Sequence, residues 1–220
     1  IYSCIYLAFL GTRLMRVILL SGYIVEDFLE YVMKNNMHAV QSLVDDGIDI
    51  RVTDNEGKNA LHLAMQMDLV SYLLGLKQEL NSVIEARDKN DNTPLILSVQ
   101  KGLEIFKSFL TIGEANINAL NNRGFTALHT AVDHGHIDIV EYILGSDVDN
   151  NVEIDAEDTS SRNTLLHYAA QLRETKMVAL LLENGARADH MNDLLVRPRD
   201  KTDHEEIRKM LGTFVTLFVL

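Results

Sequence analysis

Apolar residues along this chain fall at helical spacing in short runs, and each run is cut by a turn signal. Residues 121–144 show the pattern most clearly. Asn121-Asn122-Arg123-Gly124-Phe125 reads as a turn, because Asn and Gly tolerate positive φ. Thr126 can accept a backbone N–H bond and so cap a helix. Leu128 and Ala131 lie three apart, on one helical face. Gly135 ends this helix. Ile137, Ile139, Val140, Ile143 and Leu144 then supply the apolar face of a second. The pattern predicts two antiparallel helices joined at a glycine and preceded by a turn.

The pattern recurs. Asn59-Ala60-Leu61-His62, Thr93-Pro94-Leu95-Ile96, Thr126-Ala127-Leu128-His129 and Thr164-Leu165-Leu166-His167 share one shape, and their first residues are 34, 33 and 38 apart. A degraded copy, Arg197-Pro198-Arg199-Asp200, follows 33 further on. A second marker keeps step. Arg51-Val52, Glu85-Ala86, Asn118-Ala119, Asp155-Ala156 and Asp189-His190 are spaced 34, 33, 37 and 34. Two markers in phase are far harder to obtain by chance than one. The expected fold is all-α, with no sheet beyond short turns.

A period near 33 with a Thr-Pro-Leu-His-like start resembles the ankyrin repeat, and the resemblance covers residues 22–211. It implies an α-solenoid of stacked helix-turn-helix units, none of which can bury its apolar face alone. Five repeats are expected, at 22–54, 55–88, 89–121, 122–158 and 159–193. Residues 194–220 read as a degenerate half-repeat cap with an apolar tail, and 1–21 as an apolar segment outside the array. The first helix of the first repeat is expected from Glu26 to Lys34, with Glu26, Asp27 and Glu30 facing solvent. Three departures stand out. The second repeat has no Gly-His between its helices and a longer loop, 75–83. The fourth carries about four extra residues around 147–153. The fifth has Arg173 where the helix-breaking glycine belongs.

Composition narrows the function. Net charge is −12, and nine acids lie between Asp133 and Asp158 with no Lys or Arg among them. Phosphate binding needs clustered bases, and none occurs, so nucleic acid is excluded as the expected partner. Six of the acids, Asp147, Asp149, Glu153, Asp155, Glu157 and Asp158, form an acidic loop with no base inside it. That loop is either a solvated solubility segment or a docking surface for a basic segment of a partner. The single cysteine, Cys4, cannot form an internal disulfide, which favours a reducing compartment, and so a cytoplasmic or nuclear protein, the alternative being a secreted fold that needs no staples. Arg13 and Arg16 interrupt the apolar start, leaving neither half long enough for a membrane span. Their place after Leu10 does not match a signal peptide.

No catalytic arrangement is found: there is no Gly-x-Ser-x-Gly elbow, no phosphate-cradling glycine loop and no Cys–His pairing. The chain is read as a non-enzyme with no cofactor, no small-molecule substrate and no metal. His129, His134 and His136 lack a carboxylate or cysteine to complete a tetrahedron. The stretch from Asp147 to Asp158 imitates a calcium loop but has Val152 where the sharp turn needs glycine. The resemblance implies that His62, His129 and His167 are structural. It also implies that Asn118 is an asparagine an oxygenase can hydroxylate, the alternative being a turn-stabilising amide.

By the same resemblance, binding uses a concave face made of turn tips and the exposed sides of the first helices. Carried over residue by residue, the tips supply Asn55, Lys58, Lys89, Asp91, Asn122, Arg123, Phe125, Ser161 and Arg162. The helix ends supply Gln66, Gln100, Lys101, Asp133, His134, Gln171 and Arg173. Phe125 and the arginines are the expected hot spots. Three functional classes follow. The first is an adaptor or inhibitor binding a protein. The second is a fragment of a larger multi-ankyrin protein, such as a channel's cytoplasmic array, an arthropod toxin or a bacterial effector. The third is the targeting part of an enzyme whose catalytic residues lie elsewhere.

Overall fold

The computed structural model describes residues 21–76, 80–145 and 151–217, without the side chains of 21–24, 80–81 and 214–217. The readings placed on 1–20, Asp147, Asp149 and 218–220 lie outside the described residues. Every regular element among the described residues is helical. The chain divides into two compact units, one ending at Lys89 and the other beginning at Asn90.

In the first unit, α1 (Ser21–Met33) packs on α2 (Met37–Asp45) and on α3 (Ala60–Leu63), and α3 packs on α4 (Met67–Leu74). Helix α1 starts before the predicted Glu26. Its spacing still decides its inward side: Phe28, Leu29 and Val32 are buried, whereas Glu26, Asp27 and Glu30 are not. Helix α3 is only four residues long, because Ala64 leaves the helical region and the chain runs extended through Gln66 into α4. A short helix, α5 (Leu80–Ile84), falls where the sequence suggested only a loop.

The second unit is a regular stack. First helices α6 (Pro94–Ser98), α8 (Ala127–Asp133) and α10 (Leu165–Leu172) pack in succession, and a 3₁₀ turn, Pro198–Lys201, completes their row. Second helices α7 (Leu103–Thr111), α9 (Ile137–Leu144), α11 (Thr175–Glu183) and α12 (Glu205–Leu217) form the other row. Phe106, Phe109, Leu128, Ile139, Ile143, Leu166 and Leu181 fill the space between the rows. This is the stack of helix-turn-helix units that the two phased markers predict.

Capping explains why the tetrapeptides recur. Asn59, Thr126 and Thr164 are N-caps, and the histidine three residues on closes each cap from the other side. The N-cap N–H donates to Nδ1 of His62, His129 and His167 at 3.2, 3.3 and 3.1 Å. With Nδ1 accepting, the proton sits on Nε2. That Nε2–H reaches the next repeat, donating to the carbonyl of Ala156 from His129 (3.1 Å) and of Val196 from His167 (3.0 Å). One side chain therefore both starts its helix and ties two repeats together. In the degraded copy, Asp200 stands where the histidine would be, and its carboxylate accepts the Arg197 N–H.

Candidate functional site: turn tips and first-helix ends

From residue 54 onward, successive repeats are separated by turns that begin with an Asp or Asn and pass through one left-handed residue. The left-handed positions are Gly57, Asp91, Gly124, Arg162 and Leu195. Asn121 Oδ1 accepts the N–H groups of Arg123 and Phe125, both at 2.9 Å, and Asn192 Oδ1 accepts those of Leu194 and Val196, both at 3.0 Å. Such a side chain replaces a backbone turn bond. Their amide groups also donate one repeat back, Asn121 to Asn92 Oδ1 (2.9 Å) and Asn192 to Asn163 Oδ1 (2.8 Å). Backbone bonds tie successive tips as well: Asn122 N–H to the Asn90 carbonyl, Thr159 to Arg123 and Asp193 to Ser161, each at 3.0 Å.

Asp158, which starts the turn before α10, is heavily bonded. Its Oδ1 accepts the N–H groups of Ser160 and Ser161 and the Ser160 hydroxyl. Its Oδ2 accepts the Asn163 N–H and the Tyr168 hydroxyl. Burial alone would push this carboxyl up, but the bonds from Tyr168, Ser160 and Ser161 together hold it well below the usual carboxylate range. Burial and the bond to Asp158 push the Tyr168 hydroxyl above its ordinary value.

The predicted partner-binding residues are exposed or half-buried, with one exception. Phe125 is 3% exposed. It precedes the N-cap Thr126, the place from which an apolar side chain folds back over the first helical turn. Its ring stacks on His129 (5.3 Å between centroids) and meets Tyr168 edge-on (5.3 Å), so it is core and not a contact residue. What it presents is Arg123, whose guanidinium carbon sits 4.0 Å from the ring centroid. The aromatic face holds that exposed arginine in place.

Along the first-helix ends of the second unit, Gln100 and His134 meet across adjacent repeats at 3.3 Å, and His134 Nδ1 lies 2.9 Å from the Thr130 carbonyl. Asp133, Lys101 and Gln171 share this rim. Arg173 pairs with Asp203 at 2.6 Å and takes the left-handed conformation (φ 61°) that the missing glycine would have taken. In the first unit, Asn55 and Gln66 are exposed, the Lys58 N–H donates to Asp54 Oδ1, and Lys89 is bound to Glu56 through both backbone and side chain. Three apolar residues escaped the sequence reading: Leu172, on the rim, and Leu194 and Leu195, at the last turn, are all exposed. For Leu194 and Leu195 the available signal was an apolar residue at positions that are polar or glycine in the other turns.

The acidic loop is only partly a free surface. Asp158 points inward and is 2% exposed. Asp155 accepts the Arg187 N–H (2.9 Å) and its guanidinium (3.1 Å). Glu157 takes the Arg162 guanidinium at 2.5 Å and lies 3.0 Å from His190 Nε2. The Arg162 bond first, and the nearby cations after it, hold the Glu157 carboxyl below its ordinary value. The absence of bases inside the segment misled, because its partners come from neighbouring turns. Asn118 bridges to this segment, donating to the Asn151 carbonyl (2.5 Å) and accepting the Glu153 N–H (3.1 Å).

Among the described residues, no group of three His, Cys, Asp or Glu side chains is placed to hold a metal, and no helix is long and apolar enough to cross a membrane.

Comparison with known proteins agrees with this geometry. Residues 66–156 and 103–192 match the family model for ankyrin repeats in three copies, which together cover more than half of the chain. An ankyrin repeat protein of fowlpox virus, FPV031, is 30% identical over 160 residues, 71% of this chain and 47% of the viral protein. The neurogenic locus notch homolog protein 1 of Xenopus laevis is 28% identical over 122 residues, 56% of this chain. The match spans only 5% of that protein, so the chain corresponds to a small part of it. The crystal structure of the ankyrin repeat domain of Bcl-3 superposes with a TM-score of 0.71 at 24% identity, over 86% of this chain and 84% of that one.

Proposed function

The chain belongs to the ankyrin-repeat family, a family of protein–protein interaction modules, and on that premise we propose that it is a non-catalytic adaptor or inhibitor. In this reading a protein partner lies on the face formed by the turn tips and the first-helix ends. The observation that carries it is the contact between Gln100 and His134. It brings rim positions of successive repeats, one residue out of register, side by side, so polar groups from several repeats address one partner together. Arg123, ordered on Phe125 with its donor edges outward, is the strongest anchor. Leu172, at the end of α10, offers an exposed apolar contact.

A basic segment of the partner is a further element of the proposal. It would be drawn by Glu153 and by the acids Asp147 and Asp149, since Asp155, Glu157 and Asp158 are engaged within the fold. Exposed charges of this kind act mainly on association rate and are screened by salt over about 8 Å. An intracellular setting fits a chain whose single cysteine is Cys4.

The test is affinity capture of a partner, followed by calorimetry with Arg123→Ala and Leu172→Asp. Each is expected to weaken binding by about tenfold, the range of a moderate hot spot. Unchanged affinity for both places the partner elsewhere. A reading as part of a larger multi-ankyrin protein is compatible with the same face.

A further inference from the structure

We propose that Asn184-Gly185, at the end of α11, is a self-modification site. The Asn184 amide converts to aspartate or isoaspartate when the last turn of α11 opens, and the fold holds the reaction off while that turn is closed. This goes beyond the binding reading and does not depend on which partner the rim takes.

The residue pair supplies the chemistry. Asn184-Gly185 is the one Asn-Gly pair in the chain, and both residues are exposed. Gly185 has no side chain to shield its nitrogen, and nothing lies within 4 Å of where a Cβ would stand. Once that nitrogen gives its proton to solvent base, its electron pair can attack the side-chain carbonyl carbon of Asn184. The new C–N bond closes a cyclic imide. The bond from that carbon to Nδ2 breaks, and the nitrogen takes a proton from water and leaves as ammonia. Water then opens the imide at either carbonyl. One opening gives aspartate. The other gives isoaspartate, whose main chain runs through the former side chain and gains a methylene. Water is consumed and ammonia released, with no change in oxidation state.

The fold restrains both reacting groups. Helix α11 ends in a closed cap: the Gly185 N–H donates to the Leu182 carbonyl at 3.1 Å and the Ala186 N–H to the Leu181 carbonyl at 3.0 Å. The Asn184 side chain donates from Nδ2 to the Leu180 carbonyl at 2.8 Å. The attacking nitrogen is thus held as a donor, and the amide it must reach is turned back along the helix. Leu182, Ala186 and Ala188 are buried around the cap, so it opens only with its surroundings. The loop that follows carries Arg187, whose N–H and guanidinium hold Asp155 of the repeat before at 2.9 and 3.1 Å. An added methylene after residue 184 shifts the cap bonds and Arg187 out of register. The new carboxylate also stands beside Glu183 at the negative end of the helix, where it is unfavourable. The product therefore weakens the cap that prevented its formation, and with it a tie between two repeats.

The test ages the full chain in mildly alkaline buffer, with and without guanidinium chloride. Trypsin releases residues 177–187 as one peptide, in which Asn184 is the sole side-chain amide, and mass spectrometry reads its conversion to the acid. Conversion is expected to be at least about tenfold slower in the folded chain, since only the opened fraction reacts. No conversion in the denatured chain overturns the site, and equal rates with and without denaturant overturn the restraint by the cap. The aged chain, labelled with nitrogen-15 and returned to native buffer, is expected to show the Arg187 amide resonance displaced in proportion to its isoaspartate content. Asn184→Asp carries the charge without the methylene and is expected to leave that resonance nearly in place. An unmoved Arg187 resonance in the isoaspartate chain, or equal displacement by Asn184→Asp, overturns the link from the added methylene to the contact between repeats.

Discussion

The Tyr168 hydroxyl donates to Asp158 Oδ2 at 2.7 Å, joining the first helix of one repeat to the turn that precedes it. Asp158 is buried, so its charge is held by hydrogen bonds rather than by water. Removing one donor from a buried carboxylate costs more than an average hydrogen bond. Tyr168→Phe is expected to lower unfolding stability by about 1–3 kcal/mol and to raise the Asp158 carboxyl toward its ordinary value. Urea unfolding and carboxyl-carbon NMR titration read the two effects.

The buried histidines make stability fall in acid. Burial holds His129 down at about 4, against the weaker upward pull of its bond to the Ala156 carbonyl. His167 is shifted in the same direction for the same first cause. For His129 the unfolded chain binds the proton first as pH falls. Its contribution is complete above about pH 6.5 and is lost progressively down to about pH 4, by at most about 3 kcal/mol. Asp158, depressed instead, adds its loss only below about pH 4. Urea midpoints between pH 7 and 4 are expected to drop for the natural chain. His129→Gln should start lower at pH 7 and fall less steeply.

Two left-handed residues should respond to glycine in the stabilising direction. Leu195 and Arg173 sit at φ 58° and 61°. Leu195→Gly is expected to add about 0.5–1 kcal/mol of stability. Arg173→Gly should gain slightly less, since it forfeits an exposed ion pair with Asp203 that is worth little. Thermal melts check both. Gly124 shows the opposite case. It holds φ 73°, and a Cβ there would lie 2.7 Å from the Thr159 nitrogen, the donor that ties two tips together. Gly124→Ala is therefore expected to destabilise by about 1–3 kcal/mol.

The repeats, their caps and both helix rows were legible in the sequence, because the Thr/Asn-to-His spacing and the apolar faces act within a few residues. Helix α5 was not, since Leu80–Ile84 carries no cap or breaker that separates it from a loop. The site was read less well, and the reasons are physical. The direction of Phe125 depends on a turn that folds it back onto His129 and Tyr168. The neutralisation of Asp155 depends on Arg187, which the stacking of repeats brings near from 32 residues away. Leu195 and Arg173 hold the left-handed conformation without being glycine, and nothing local announces that a residue will accept that strain.

The central claim is that the rim of turn tips and first-helix ends serves binding rather than folding. A triple variant, Arg123→Glu, Gln171→Ala and Leu172→Glu, changes three residues that are exposed. Calorimetric titration against the captured partner, with urea unfolding of the same preparation, tests it most directly. Loss of measurable binding is expected, with unfolding stability changed by no more than about 1 kcal/mol. Full binding by the triple variant would contradict it.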